Sequence, residues 1–382
     1  MVSIPSLLKS ESILKTFASV MYGIPFSGTA VRRSRQWVAN SIWSLILMSG
    51  TWCSFGFHLY CIKTFWRGKF KPQIPIETLI LLIPLTLSGA MSFTVMVWYF
   101  YNPRNNFSHS KTRLVPHFEY MPEGHQKDVG PESNDWKYVN IFLFFGIVSV
   151  VLVLYVAFDL NVFFDFAGLH DFTAHIHDLW LCLYYFSVSM IYWGFISVVV
   201  ACCIFYICCR DIVRHIEHTE KIILKKANNY LLARHYHDSL LTYTDSIMSA
   251  TKLWFGIHSL FFMFIIISVA FEWITAFSGK KHYENIAIII LSQSVGSFLI
   301  AFKFAFPILA ASRVTARFEK MYRVINRNWK PDKMPEVNVF MNYCCRCEAG
   351  FTLFGVKMTA QLALISLLSC FVGFFKLYRK VS

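Results

Sequence analysis

The chain has 382 residues, of which 56% are hydrophobic and only 15% charged, against roughly a quarter charged in a soluble domain. This composition argues against a water-soluble enzyme, and no HExxH, Gly-x-Ser-x-Gly or phosphate-loop pattern appears, so neither an enzyme nor a cofactor is expected. The net charge of +14 does not read as nucleic-acid binding, because the basic residues are confined to alternate gaps between apolar runs.

Seven apolar runs cover residues 38–61, 76–101, 138–164, 179–209, 253–277, 285–312 and 351–375. Each reaches the roughly 20 residues that cross about 30 Å of hydrocarbon as a helix. In that solvent the backbone must satisfy its own hydrogen bonds, and the alternation of a membrane barrel is missing. The N-terminus and the gaps after runs two, four and six hold 25 of the 36 Lys and Arg residues, and the opposite gaps and tail hold 9. The basic side faces the cytosol. The expected fold is therefore an all-α, multi-pass plasma-membrane protein. It has seven transmembrane helices, a cytosolic N-terminus and an extracellular C-terminus, opposite to a G-protein-coupled receptor.

Residues 1–37 form a cytosolic segment ending in Arg32, Arg33 and Arg35, with no cleavable signal expected. Residues 38–312 carry transmembrane helices 1–6 with their loops. Loop 102–137 is proline-punctuated, and its sequon at Asn106 falls on the cytosolic side of this topology. Gap 165–178 is outer and acidic. Its His170, His175 and His177 read either as a solvated loop or as a zinc or pH site, and no metal ligand is assigned. Gap 210–252 is helical in pattern, with an apolar stripe through Ile223, Ala227, Leu231, Leu240, Leu241, Ile247 and Met248. Spans 4, 5 and 6 are thus expected to continue into the cytosol and pack as an anchor bundle, with residues 313–350 as the anchor helix. The thiols of Cys202, Cys203, Cys208 and Cys209 are juxtamembrane acylation candidates. Zinc at Cys344, Cys345 and Cys347 lacks a second pair of ligands.

In the final helix, 351–375, Ser366, Cys370 and Phe374 share one face with Ala363. Phe371 and Phe375 share the neighbouring face. A ring of such phenylalanines can close a pore by dewetting, and the alternative is an ordinary lipid-facing helix. Residues 376–382 form a short outer tail with Lys376, Arg379 and Lys380. Lys303 and Lys357 lie within spans 6 and 7, where an ionisable group either snorkels inward or marks a functional position. In the outer halves of spans 3 to 6, Asp159, Tyr184, Tyr185, Glu272, Trp273 and Gln293 combine aromatics with a few polar groups, as a site for a small organic ligand does. The alternative is an interfacial aromatic belt.

Three segments resemble the insect-type gustatory and odorant receptor superfamily. They are Phe17 through Ser27, with its Gly-x-x-Pro-Phe; His235 through Met248, followed by Trp254-Phe255-Gly256; and the last span from Gly350-Phe351. The family's Thr-Tyr and Gln-Phe pairs in the last helix fall here on Leu367, Leu368, Phe374 and Phe375, so only the final Phe is kept. The resemblance implies a taste-type, ligand-gated, cation-conducting channel, assembled as a homotetramer or as a heteromer with related receptors. Four copies of the last helix would line its pore, with Ser366, Cys370, Phe371, Phe374 and Phe375 at the gate, and lipids and a tastant-like ligand would be its partners. The alternatives are a non-conducting relative, a seven-span G-protein-coupled receptor, or a transporter, although no repeat relates the two halves.

Overall fold

The computed structural model describes residues 10–22, 35–66, 76–101, 137–146, 148, 177–226, 230–277, 286–328, 334–347, 349–353 and 355–361. The helices are α1 (Ser10–Tyr22), α2 (Arg35–Trp66), α3 (Ile76–Tyr101), α4 (137–146), α5 (His177–Lys226), α6 (Tyr230–Phe277), α7 (Ile286–Asn328) and α8 (Met334–Arg346). A two-stranded hairpin, β1 (Thr352–Leu353) and β2 (Val356–Lys357), follows.

The long helices carry the architecture. α5, α6 and α7 have 50, 48 and 43 residues, about twice what a membrane crossing requires. Each apolar run therefore continues without a break into the polar segment beside it. Among the described residues, Ser189–Lys225 and Tyr230–Ile267 are long and apolar enough to cross a membrane. Outward-facing apolar side chains, including Ile42, Trp43 and Ile46 on α2 and Leu253, Leu260 and Phe264 on α6, make a surface suited to lipid rather than water.

α5 is the central helix, packing against α1, α2, α3, α6 and α7. Where it crosses α3, Gly89 faces Gly194. A Cβ added at Gly89 would lie 2.9 Å from the Gly194 Cα, so the two backbones meet with no side chain between them. α4 lies against α7 and α5, with Phe142 stacked on Phe306 at 4.2 Å. On α1, Leu14, Ala18, Met21 and Tyr22 are fully buried, the i, i+4, i+7, i+8 face of an amphipathic helix. Tyr22 plugs that helix into the bundle: its hydroxyl lies 2.9 Å from Ser197 Oγ, and its carbonyl accepts from Tyr101 at 3.1 Å.

Pro307 lies inside α7 and has no N–H for the carbonyl of Lys303 four residues earlier. The Cys202 thiol of α5 points at that carbonyl from 3.7 Å, a weak donor facing an acceptor that its own helix leaves open.

Several expectations change. The last span does not become helical at residue 351. Residues 352–357 form the hairpin, with Gly355 at its turn in the left-handed region (φ 78°), and helix is described only from Ala360. Lys357 thus sits on β2 and not inside a transmembrane helix. Residues 313–350 are not one anchor helix: α7 ends at Asn328 and α8 begins at Met334. Lys303 does not snorkel. It is buried, with Nζ 4.6 Å over the Phe195 ring, a cation–π contact that compensates the lost water. Leu231, expected on the buried stripe, is exposed, because the stripe instead follows Ala233, His237, Leu240, Thr244 and Ile247. Cys202, Cys203, Cys208 and Cys209 are all buried in the core, where no acyl donor reaches them.

Candidate functional site

Contacts along α5 fix the register of its neighbours. Asp211 meets Tyr243 and Phe205 meets Phe255, so α5 and α6 are antiparallel. Tyr206 meets Phe306 and Glu217 meets Arg317, so α5 and α7 are parallel. This register carries Tyr184 and Tyr185 on α5, Glu272 and Trp273 on α6, and Gln293 on α7 to the half of the bundle away from the basic end. The side chains of these five lie outside the described residues, as do Asp159 and the sequon at Asn106 entirely. The gate set Ser366, Cys370, Phe371, Phe374 and Phe375 also lies outside the described residues. Cys344, Cys345 and Cys347 do not converge on one point: Cys344 is buried and Cys345 exposed, and no metal-holding group of three His, Cys, Asp or Glu occurs among the described residues.

The side chains of the other half of the bundle are described in more detail. A series of polar contacts follows α5. Trp254 Nε1 of α6 donates to Ser92 Oγ of α3 at 2.8 Å, and the Trp254 ring stacks on His258. Tyr99 of α3 lies 3.6 Å from the Cys208 sulfur. One turn further, Tyr243 donates to the Asp211 carboxylate, and the His215 ring lies over Tyr243 with centroids 4.2 Å apart. Each rung joins two helices and leaves few buried polar atoms without a partner.

The basic end closes on His237. This imidazole is fully buried. Its Nε2 lies 2.9 Å from the Tyr322 hydroxyl of α7, and its Nδ1 lies 3.3 Å from the Tyr343 hydroxyl of α8. Tyr343 donates to Asp238, and Arg234 lies 3.4 Å from Asp238 and over the Tyr343 ring. Burial pushes the His237 pKa down to about 4, with the Asp238 carboxylate pulling the other way. The ring is therefore neutral at ordinary pH and can accept from one phenol while donating to the other. Burial also pushes the Tyr322 phenol and the Cys344 thiol up, so neither ionises. This is a structural lock among α6, α7 and α8, with no charged nucleophile.

The hairpin is the joint between that lock and the last segment of the chain. Phe351 is buried, edge-on to Phe205 of α5 (5.4 Å) and Phe255 of α6 (4.9 Å), which themselves stack at 4.8 Å. The Phe351 N–H donates to Thr315 Oγ1 of α7 at 3.1 Å, and its carbonyl accepts from Met358 at 2.8 Å. One residue thus touches three long helices at the point where the chain turns toward its final segment. Sequence reasoning quoted Gly350-Phe351 only as the start of a helix. The available signal was the pair Gly350 and Gly355 bracketing an alternating stretch, which favours a tight hairpin.

Neither a family model nor a curated protein matches the sequence. Among solved structures, the insect olfactory receptor OR5 from Machilis hrabei superposes with a TM-score of 0.61 at 10% identity, covering 97% of this chain and 99% of that one. The same receptor in complex with eugenol superposes with a TM-score of 0.54 at 11% identity, covering 96% and 98%. Over almost its whole length, then, the chain has the fold of an insect olfactory receptor, in agreement with the superfamily that its sequence resembles.

Proposed function

We propose that this protein is a chemosensory receptor of the insect gustatory and odorant type. It resides in the plasma membrane with its N-terminus in the cytosol, and it is a ligand-gated, cation-conducting channel of four subunits opened by a small organic molecule. The observation that carries the reading is the end-to-end fold match with OR5, a receptor whose structure is also known with eugenol bound. The sidedness of the 36 Lys and Arg residues supports the orientation. Ligand would bind among Asp159, Tyr184, Tyr185, Glu272, Trp273 and Gln293. Rearrangement of α5, α6 and α7 would reach the gate residues Ser366, Cys370, Phe371, Phe374 and Phe375 through Phe351.

One observation favours a second reading, a relative that conducts poorly or not at all. Lys376, Arg379 and Lys380 would place a ring of positive charge at the outer mouth, which disfavours cations. Expression in oocytes with accessibility tags at both termini, followed by recording during a screen of tastants and odorants, tests both. An extracellular tag at Ser382, a cytosolic tag at Met1 and ligand-evoked current with a cation reversal potential are expected. Surface expression with correct tags but no current to any ligand would favour the second reading. Reversed tags would overturn the first.

A further inference from the structure

Beyond its apolar run, α7 has two unlike faces. Val314, Phe318, Met321 and Ile325 are buried, a stripe at helical spacing turned into the bundle. On the far side Arg313, Lys320, Arg323 and Arg327 are exposed, with the small Ala316 among them. At about 100° of turn per residue these four share an arc of about 80°, and they line roughly 21 Å of the helix. Arg317 is not one of them: it is turned toward α5, where Glu217 and Glu220 hold it at 3.2 and 2.9 Å. Among the described residues none of the four pairs with a carboxylate. Arg313 lies over the Tyr138 ring, 5.7 Å from its centre, and Arg323 Nε donates to the backbone carbonyl of Glu319. Like charges three and four residues apart repel. Only Arg327, in the last turn, gains from the helix dipole.

The start of α4 lies beside this stripe. Phe142 packs on Phe306, Phe145 on Phe302, and Tyr138 lies under Arg313, so α4 runs antiparallel to α7. Its first residues are therefore the end nearest Lys320 and Arg327. The sequence that leads into α4 has the opposite charge. Residues 119–135 hold Glu119, Glu123, Asp128, Glu132 and Asp135 against one cation, Lys127, in a chain whose net charge is +14. These residues lie outside the described ones.

We propose that the acidic segment 119–135 docks along the basic stripe of α7 through ion pairs. The segment is tied to the stripe at Tyr138, so Asp135 meets the Arg313 end. Glu132, Asp128 and Glu123 then follow toward Lys320, Arg323 and Arg327. Its length spans the stripe well short of full extension. Exposed ion pairs are weak one by one, but the covalent tether makes each of them intramolecular, and their effects accumulate. The contact depends neither on which side of the membrane holds the N-terminus nor on whether the protein conducts.

The test uses the full-length protein in nanodiscs of zwitterionic lipid. A water-soluble carbodiimide, which joins a lysine to a carboxylate in contact with it, is expected to couple Lys320 to the 119–135 segment within one chain, as read by peptide mass spectrometry of the monomer band. Proteinase K cleavage within 119–135 gives a second readout, each rate divided by that of a free peptide of the same sequence. The K320Q/R323Q/R327Q variant should be cut about ten-fold faster than the wild type, the order expected for three exposed ion pairs. The E123Q/D128N/E132Q variant should be cut faster to the same degree, and it alters no residue of the bundle, so it serves if the first variant fails to fold. Combining K320E/R323E/R327E with E123K/D128K/E132K should restore slow cleavage, which a merely structural effect of the helix substitutions would not. Lys252→Gln, exposed on α6, should change nothing. Equal cleavage of the wild type and both neutralised variants, without a Lys320 crosslink, overturns the proposal. So does a crosslink confined to the dimer band, which would assign the stripe to a second copy, or its loss on adding phosphatidylserine, which would assign it to lipid headgroups.

Discussion

Where α3 crosses α5 the contact is backbone against backbone, whereas where α6 meets α7 and α8 it is made by side-chain hydrogen bonds around one imidazole. At the crossing, Gly89 and Gly194 allow close approach because neither has a Cβ. Inside lipid, association gains little from hydrophobic burial and depends on such close packing. At the basic end water is available, and polar partners can be chosen for geometry. There the helices are joined by His237, Tyr322, Tyr343 and Asp238. The first region should therefore be intolerant of added volume and indifferent to pH, and the second the reverse.

The sharpest way to break that contrast is Gly89→Val. The nearest atoms to the added carbons are Gly194 Cα and C, at 2.9 and 3.0 Å, and backbone cannot rotate away as a side chain can. A cost upward of ~3 kcal/mol is expected, seen as lost monodisperse yield on size-exclusion chromatography. Phe351→Ala comes next. Removing a buried ring costs ~3 kcal/mol, read as a lower melting temperature, whereas Val356→Ala on the exposed side of the same hairpin should change little. In the channel reading, Phe351→Ala would also impair gating at unchanged surface expression.

The third effect is the pH dependence of the His237 lock. Its folded pKa of about 4 lies below the ordinary 6.5, so the unfolded chain takes up the proton first as pH falls. The associated stability is intact above pH 6.5 and is lost progressively toward pH 4, roughly 2 kcal/mol of it between pH 7 and 5. His237→Gln, which keeps hydrogen-bonding capacity without a titrating ring, should flatten that part of the melting-versus-pH curve. An unchanged curve would mean that other groups carry the pH dependence. The smallest effect is that of Gly355→Ala. Nothing lies within 4 Å of the added Cβ, but φ is 78°, so only the ~1 kcal/mol left-handed penalty is expected, measured by the same melt.

Much of the fold was legible because the bilayer and the charge pattern act on whole segments. The lengths of α5, α6 and α7 followed from apolar runs passing without proline into helical polar stretches. The hairpin at 352–357 was hidden because Phe351, Leu353 and Val356 read equally well as the beginning of a membrane span. His237 was likewise inside a quoted motif, yet a buried imidazole is defined by Tyr322 and Tyr343, which are 85 and 106 residues away. The Leu231 error has the same cause, since a helical stripe can be slipped by one or two positions until its partners are known. The proposed ligand set was chosen from the outer halves of four spans by its mix of aromatic and polar residues, and Asp159 and the side chains of the other five lie outside the described residues.

The length of α5 has a mechanical consequence. Fifty residues of unbroken helix make a rod about 75 Å long, whose glycine contact with α3 lies about a third of the way from its His177 end. A rod that pivots there behaves as a lever with unequal arms. A tilt of about 5° moves the His177 end by roughly 2 Å and the Lys226 end by roughly 4 Å, so a small displacement of the shorter arm arrives about doubled, with its direction reversed, at the end of the longer one.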